Sequence, residues 1–306
     1  MSTTPTDALS WGVVIVHFGP AAPTRASLRS VAAEPGAETR RVVVVDNSAN
    51  LRPEDLPPGV LHLTRPDNPG FGAGANLGAR ELFSRGDLAA ILVLNGDIEL
   101  LPGFFSAADR ALARGCSACG GPLFLDSPDG PLWYAGGNIR RFSGTVFQDR
   151  SPRAAAERRE VGFIPGAALA VSAAAWRATG GFDEAFFLYN EDVDLCLRLK
   201  RAGFRLCFEP GMNAVHHLGS ATGSRGLSPL YLEHLTRTRL LPYRSRAHRL
   251  WLALLHSGWV AYRATSLLLR QPRGTRPAIR ALLAGHSAAL RSAWSGRLPS
   301  APRPGR

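Results

Sequence analysis

The sequence predicts an α/β fold: a mostly parallel sheet flanked by helices, followed by a basic helical extension. Three observations carry this. Short apolar runs lacking polar alternation recur through the first hundred residues, as strands buried on both faces require. Helical patterns separate most of them. Polar clusters, Asp46-Asn47-Ser48 and Asn95-Gly96-Asp97, close two of these runs, where α/β sheets place their ligands.

Trp11 to Val16 reads as the first buried strand, and Thr24 to Ala33 as a helix. Arg41 to Val45 and Val60 to Leu63 are the next strands. A helix with a glycine-rich entry follows over Gly72 to Arg85. Ala89 to Leu94 is a fourth strand, and Phe104 to Arg114 a helix. Pro122 to Val161 is rich in Gly, Pro and Arg and suggests hairpins with a mobile loop, Gln148 to Arg159. Ile164 to Ala168 leads into a helix at Ser172 to Thr179. Phe204 to Phe208 and Asn213 to His217 are short strands.

The helix from Glu191 has the strongest signals. Asn190 can cap it, Glu191 and Asp192 suit its first turn, Lys200 and Arg201 its last, and Gly203 can stop it. Leu195, Cys196 and Leu199 share a buried face with Asp192 at its top, while Asp194 and Arg198 can pair four residues apart. Asp192, held at a helix start beside the aromatic stretch Phe186 to Tyr189, can take a proton from a hydroxyl. A solvated acidic helix start would look the same on spacing alone.

The other polar clusters are individually ambiguous. The run Asn68 to Gly78 lets backbone amides approach an anion, but lacks the dinucleotide fingerprint and the Gly-Lys-Ser/Thr phosphate loop. Asn95-Gly96-Asp97 is either a turn or a strand end whose carboxylate holds a divalent ion on a diphosphate. His216-His217 could complete a metal site, though such pairs are more often structural.

Composition sets the outer bounds. The 306 residues are 45% hydrophobic and 20% charged, with net charge +12. From Arg225 onward there are fifteen arginines, no lysine and one acid, Glu233, leaving residues 1–224 at −2. Such asymmetry suggests an anionic surface as partner. Leu250 to Leu269 has Arg263 as its one firm charge, which favours a helix at a membrane interface or packed on the sheet domain over a spanning one. Cys116, Cys119, Cys196 and Cys207 read as free thiols of a reducing cytosol, and no signal peptide is apparent. The expected organisation is 1–224 as catalytic domain, 225–294 as basic helical extension and 295–306 as a disordered tail.

Taken together and in order, Val44-Val45-Asp46-Asn47-Ser48, Asn68-x-Gly70-Phe71-Gly72-x-Gly74-x-Asn76, Leu94-Asn95-Gly96-Asp97, Gly180-Gly181-Phe182-Asp183-Glu184, Glu191-Asp192-Val193-Asp194 and His216-His217-x-Gly219-Ser220 resemble glycosyltransferase family 2, in its rhamnosyltransferase-like bacterial branch. The resemblance spans about residues 11–222. It implies a GT-A, Rossmann-like fold and inverting transfer of a sugar, rhamnose among the candidates, from a nucleoside-diphosphate sugar to a glycan or lipid-linked acceptor in cell-envelope polysaccharide synthesis.

Residue by residue, it implies Asp192 as the base. Asp46, Asn47, Asn68, Gly70, Phe71, Gly72, Asn76, Asn95, Gly96, Asp97 and Gly166 would line the nucleotide sugar. Tyr189 and Glu191 would lie on the acceptor side. Asp97 and His216, with His217 the alternative, would hold Mg²⁺ or Mn²⁺. The family's acidic pair is reduced here to Asn95 and Asp97, and Ser220 comes one residue early. The expected setting is the cytoplasm, peripheral at the inner face of the membrane. A non-catalytic sugar-nucleotide-binding relative and an arginine-driven nucleic-acid binder are the rivals. The intact Glu191-Asp192 opposes the first, and the lack of a base-stacking module opposes the second, so no nucleic-acid partner is expected.

Overall fold

Apolar runs and intervening helices assemble as their periodicity dictates. The computed structural model describes residues 9–217, 228–270 and 275–297. The chain begins with β1 (Trp11–His17), α1 (Ala21–Ala33), β2 (Arg41–Asp46), β3 (Leu61–Thr64), α2 (Phe71–Ser84), β4 (Ala90–Asn95), β5 (Ile98–Leu100) and α3 (Phe104–Ala113). Then come β6 (Ala118–Gly120), β7 (Leu123–Leu125), β8 (Leu132–Tyr134), β9 (Gly137–Ile139), β10 (Val146–Gln148), α4 (Pro152–Ala156), β11 (Arg159–Glu160) and β12 (Ala168–Ser172). α5 (Ala173–Thr179), α6 (Glu191–Arg201), β13 (Leu206–Phe208) and β14 (Ala214–His216) complete the α/β body. α7 (Pro229–Thr238), α8 (Arg246–Arg270) and α9 (Arg276–Ser295) follow.

The main sheet has the order β11-β13-β6-β12-β4-β1-β2-β3. β3, β2, β1 and β4 are parallel, so their carboxyl ends share one edge. β12 runs antiparallel to both β4 and β6 at the centre. The sequence pattern gave no strand there. Ala168-Leu-Ala-Val-Ser is short, with alanine at two of five positions, and burial between two strands overrides its weak β-propensity. A second sheet, β5-β14-β7-β8, sets His216 opposite Ile98 and so brings it beside Asp97.

Two expectations need correction. The loop expected over Gln148 to Arg159 contains α4 and part of β11. It is pinned by Arg159, which donates to the Ala135 and Ala154 carbonyls and lies over the Phe208 ring. Cys116 and Cys207 are not free thiols but form a disulfide, because parallel pairing of β6 with β13 brings these distant positions together. Cys119 and Cys196 are free and buried. The free-thiol argument for a reducing compartment therefore falls.

The three C-terminal helices form their own layer. α9 lies so close to α7 that a Cβ at Gly285 would fall on Thr236 Oγ1 and the Glu233 carbonyl. Leu232, Val260 and Leu282 make one small core, and Leu240, Tyr243, Leu252, Ala289 and Ala293 another. Among the described residues no helix is long and apolar enough to cross a membrane. The tail expected to be disordered lies outside the described residues from 298 onward, as do Gly219, Ser220 and the boundary at 224.

Candidate active site

The parallel strands end on one edge, and the polar clusters collect there. Asp46 closes β2, but it faces inward. Its carboxylate is fully buried and accepts from the amides of Ser48, Asn50 and Leu51 at 2.9, 3.0 and 2.9 Å. It therefore shapes the turn, with no oxygen turned to a ligand. Asn47 donates from Nδ2 to the Gly70 carbonyl at 3.1 Å, tying this turn to the glycine-rich loop.

That loop is built by close approach. Gly70 has φ +97°, and a Cβ there would collide with the Phe187 carbonyl, which also accepts from the Phe71 amide at 3.2 Å. Asn68 turns the chain with φ +39° and accepts from the Gly70 amide at 3.3 Å. Gly72 and Gly74 face Phe182 and Asn47. Asn76 is not at the edge. Its amide accepts from the Phe182 amide at 2.9 Å and donates to the Phe182 carbonyl and to Glu184, a buried staple between α2 and the 182–184 turn.

The end of β4 carries the next group. Gly96 leaves room for Thr24, whose Oγ1 would lie 2.5 Å from a Cβ and bonds His17 Nδ1 at 2.7 Å. Asn95 donates its amide to the Ala167 carbonyl at 2.9 Å, joining this strand end to Gly166. Asp97 Oδ1 stands 3.4 Å from His216 Nε2. Strand alternation sends His217 to the opposite side, where Nε2 meets Glu99 at 2.8 Å. Between the two histidines, only His216 thus shares a site with Asp97. The Trp133 ring edge packs on His216, a neighbour that no sequence signal marked.

A carboxylate oxygen and an imidazole nitrogen that converge without a tight hydrogen bond suit a hard or borderline divalent ion. His216 is buried, and among the described residues its Nδ1 has no hydrogen-bond partner. Among the described residues no group of three or more such side chains gathers. The pair fits an ion that takes its remaining oxygens from a ligand or from water.

α6 delivers the last group. Asn190 occupies the position before the helix with φ +65°, and Tyr189 has φ +66°. Asn190 does not cap the helix with its side chain, as expected from sequence. Its Nδ2 donates instead to Thr238 Oγ1 at 2.8 Å and to the Leu235 carbonyl at 3.2 Å. Thr238 also reaches the Tyr189 carbonyl at 2.9 Å, so α7 holds two consecutive left-handed residues in place. Tyr189 is half-buried, with its ring edge on Tyr231.

Asp192 is half-buried. Oδ2 accepts from the Gly166 amide at 3.1 Å and Oδ1 from the Val193 amide at 2.8 Å. A Cβ on Gly166 would lie 3.1 Å from the Phe71 ring and 3.5 Å from Asp192 Cβ, so Gly166 keeps the space between them open. Glu191, expected on the acceptor side, is buried at 7% exposure, with Oε2 unpartnered among the described residues. Burial raises the pKa of both carboxyls, and the charge of Asp192 adds to the rise at Glu191. At Asp192 the two amide bonds oppose that rise. The pair is therefore split: Asp192 is the easier to ionise, and Glu191 keeps its proton. Asp194 pairs with Arg198 Nε at 2.6 Å, as the spacing required.

Comparison with known proteins agrees with this architecture. The profile of the family described as "Glycosyltransferase like family 2" matches residues 12–239. The N-acetylglucosaminyl-diphospho-decaprenol L-rhamnosyltransferase of Mycobacterium tuberculosis (strain ATCC 25618 / H37Rv) is 31% identical over 229 residues, covering 66% of this chain and 69% of that one. Rhamnosyltransferase WbbL of Escherichia coli (strain K12) is 54% identical over 37 residues, 12% of this chain and 14% of that one. S. aureus TarS 1-349 in complex with UDP-GlcNAc superposes with TM-score 0.56 at 12% identity, covering 92% of this chain and 81% of that one. The mannosyltransferase PcManGT from Pyrobaculum calidifontis, with GDP-Man and Mn2+, superposes with TM-score 0.54 at 13% identity, covering 94% and 89%. The chain has the GT-A fold and belongs to the glycosyltransferase-like family 2, as a glycosyltransferase with rhamnosyltransferases among its relatives.

Proposed function

We propose that this glycosyltransferase is inverting and metal-dependent, and that it moves a sugar, rhamnose being the first candidate, from a nucleoside-diphosphate sugar to a hydroxyl of a lipid-linked glycan. The observation that carries the reading is the Asp192 carboxylate, fixed by two amides at the start of α6.

The nucleotide would lie between the Asn47-Ser48 turn and the loop Asn68 to Gly72, with the Phe71 ring beside it. The sugar would face Asn95 and Gly166. Asp97 and His216 would hold Mg²⁺ or Mn²⁺, which neutralises charge on the departing diphosphate. Asp192 accepts the acceptor's hydroxyl proton as that oxygen bonds to the anomeric carbon and the bond to the diphosphate breaks. Attack opposite the leaving group inverts the configuration, and no covalent sugar–enzyme intermediate is needed. Tyr189 borders the acceptor side. Glu191, protonated and buried, steadies the start of α6 and does not touch the acceptor.

The outer face of α8 supports a peripheral membrane location, at the inner leaflet for an enzyme using a nucleotide donor. Leu250, Trp251, Leu254, Tyr262, Leu268 and Leu269 are exposed along it, Leu269 to 80%. α9 adds exposed Leu283, Leu290 and Trp294, with Arg280 and Arg291 on the same helix. An apolar face with arginines at its margins suits a helix lying in an anionic headgroup layer.

Transfer of labelled sugar from nucleoside-diphosphate donors to a lipid-linked glycan, with the product's anomeric configuration read by NMR, tests the reading. Inversion with a metal requirement is expected. Retention of configuration, or transfer undiminished in EDTA, overturns the mechanism.

A further inference from the structure

A second pocket lies away from the sheet edge, between the tip of the β9–β10 hairpin and the turn joining α7 to α8. Ser143 and Thr145 form one wall, and Arg239, Tyr243, His256 and Trp259 most of the other. The hairpin tip is docked there deliberately. The Tyr243 hydroxyl donates to the Gly144 carbonyl at 3.1 Å, His248 Nε2 meets the Arg141 carbonyl at 2.9 Å, and Trp251 Nε1 donates to the Phe142 carbonyl at 3.1 Å.

Two features mark it as a ligand site. Arg239 is half-buried, lies over the Trp259 ring at 5.8 Å, and has no carboxylate against it among the described residues. His256 is 3% exposed, and among the described residues neither ring nitrogen makes a hydrogen bond of ordinary geometry, although the Thr236 backbone lies close enough to favour its charged form. A half-buried guanidinium with no counter-ion among the described residues, beside a buried imidazole short of hydrogen bonds and two hydroxyls, matches a phosphate ester. Burial and the nearby Arg239 and His286 push His256 well down, to about 3, so among the described lining residues Arg239 carries the fixed charge; an incoming anion would reverse part of that push.

Position names the ligand. Arg239 follows Thr238, whose hydroxyl bonds Tyr189 and Asn190 two residues before Asp192. On the other side, Leu252, Leu255, His256 and Trp259 of α8 line the pocket, and the same helix exposes Trp251 and Leu254 on its outer face. We propose that this pocket binds the phosphates of a polyprenyl-diphosphate-linked acceptor, with its sugar directed to Asp192 and its lipid along α8. The proposal rests on the lipid-linked reading above.

Calorimetry on the full chain without divalent metal, where the donor site cannot hold a diphosphate through an ion, provides the test. The probes are farnesyl diphosphate, inorganic diphosphate and farnesol. Farnesyl diphosphate should bind wild type more tightly than either of the others. Its affinity should fall at least about tenfold in Arg239→Met, as loss of a charge-assisted bond implies, and largely survive in Arg239→Lys. Thr145→Glu, on the exposed hairpin tip, should weaken it too without touching the interior. Metal-dependent nucleoside-diphosphate binding should stay unchanged in all three variants.

Equal affinity for inorganic diphosphate would overturn the lipid source. Unchanged farnesyl diphosphate binding in Arg239→Met and Thr145→Glu would overturn the site, leaving Arg239 as a cation serving only the end of α7. Binding as expected in a protein that transfers no sugar would instead refute the transferase reading and leave the pocket standing.

Discussion

His216 Nε2 faces Asp97 Oδ1 across 3.4 Å, while its sequence neighbour His217 bonds Glu99 on the other side of the same strand. The alternation of one short strand thus decides which histidine can share an ion with the carboxylate at the end of β4.

His216→Ala and Asp97→Ala should each weaken Mn²⁺-dependent nucleoside-diphosphate binding by on the order of 10- to 100-fold, at least the cost of losing a supporting partner at a metal site. His217→Ala should change it little. Calorimetry with and without Mn²⁺ reads this directly, and a larger loss in His217→Ala than in His216→Ala would reverse the assignment.

Asp192→Asn should lower kcat by about 10²- to 10⁴-fold with donor affinity nearly intact, since the amide keeps the shape but cannot take the proton. Steady-state turnover within a few-fold of wild type would remove Asp192 from that role.

Glu191 should give the folded protein a distinctive pH response. Burial raises its pKa above the ordinary 4.5, so the folded state holds this proton more tightly than the unfolded chain. The associated stability is full below the ordinary value and is lost as pH rises through the raised one. Glu191→Gln keeps the neutral shape, so its melting temperature relative to wild type should climb as pH increases over about 5 to 9. A difference that is flat, or that shrinks with pH, would mean Glu191 is ionised in the fold.

Thr238→Val should leave the Asn190 amide with the Leu235 carbonyl alone, take the hydroxyl donor from the Tyr189 carbonyl, and loosen two left-handed residues ahead of Asp192. A cost of about 1–3 kcal/mol in stability is expected for the two lost hydrogen bonds, with kcat falling more than donor affinity. Thr238→Ser should restore both. Loss of donor binding in step with kcat would point to general unfolding.

Leu254→Glu with Tyr262→Glu should release the protein from anionic vesicles while leaving its circular dichroism unchanged, because both side chains are 66% exposed. Co-sedimentation at low and high salt measures it. Undiminished binding of the double variant would move the contact elsewhere on the molecule.

Much of this was legible in the chain. The parallel strands β1 to β4, the strand-end clusters and the start of α6 follow from unbroken apolar runs, from turn residues and from an acidic first helical turn, all acting locally. What escaped was set by distant partners. β12 has too few residues and too much alanine to announce itself, and its strand state comes from the neighbours that bury it. Asp46 and Asn76 have the chemistry of ligand-binding residues, yet the Asp46 carboxylate is taken by the amides of its own turn, and the Asn76 amide by Phe182, 106 residues on. Asn190 has the right identity for a helix cap, but Thr238, 48 residues on, claims its side chain. The Cys116–Cys207 bridge, spanning 91 residues, depends on a strand pairing that no local pattern encodes.

The tie between Thr238 and the Tyr189-Asn190 turn also orders events in time. A growing chain presents the sheet, the glycine-rich loop and Asp192 well before α7 has been synthesised, and domains fold in that direction during synthesis. The turn ahead of Asp192, the proposed base, cannot be locked until α7 arrives. The helices that follow it, α8 and α9, bear the face suited to lipid. The enzyme would thus gain its catalytic geometry only as it gains the means to reside at a membrane, and a nascent or truncated chain would hold donor without spending it.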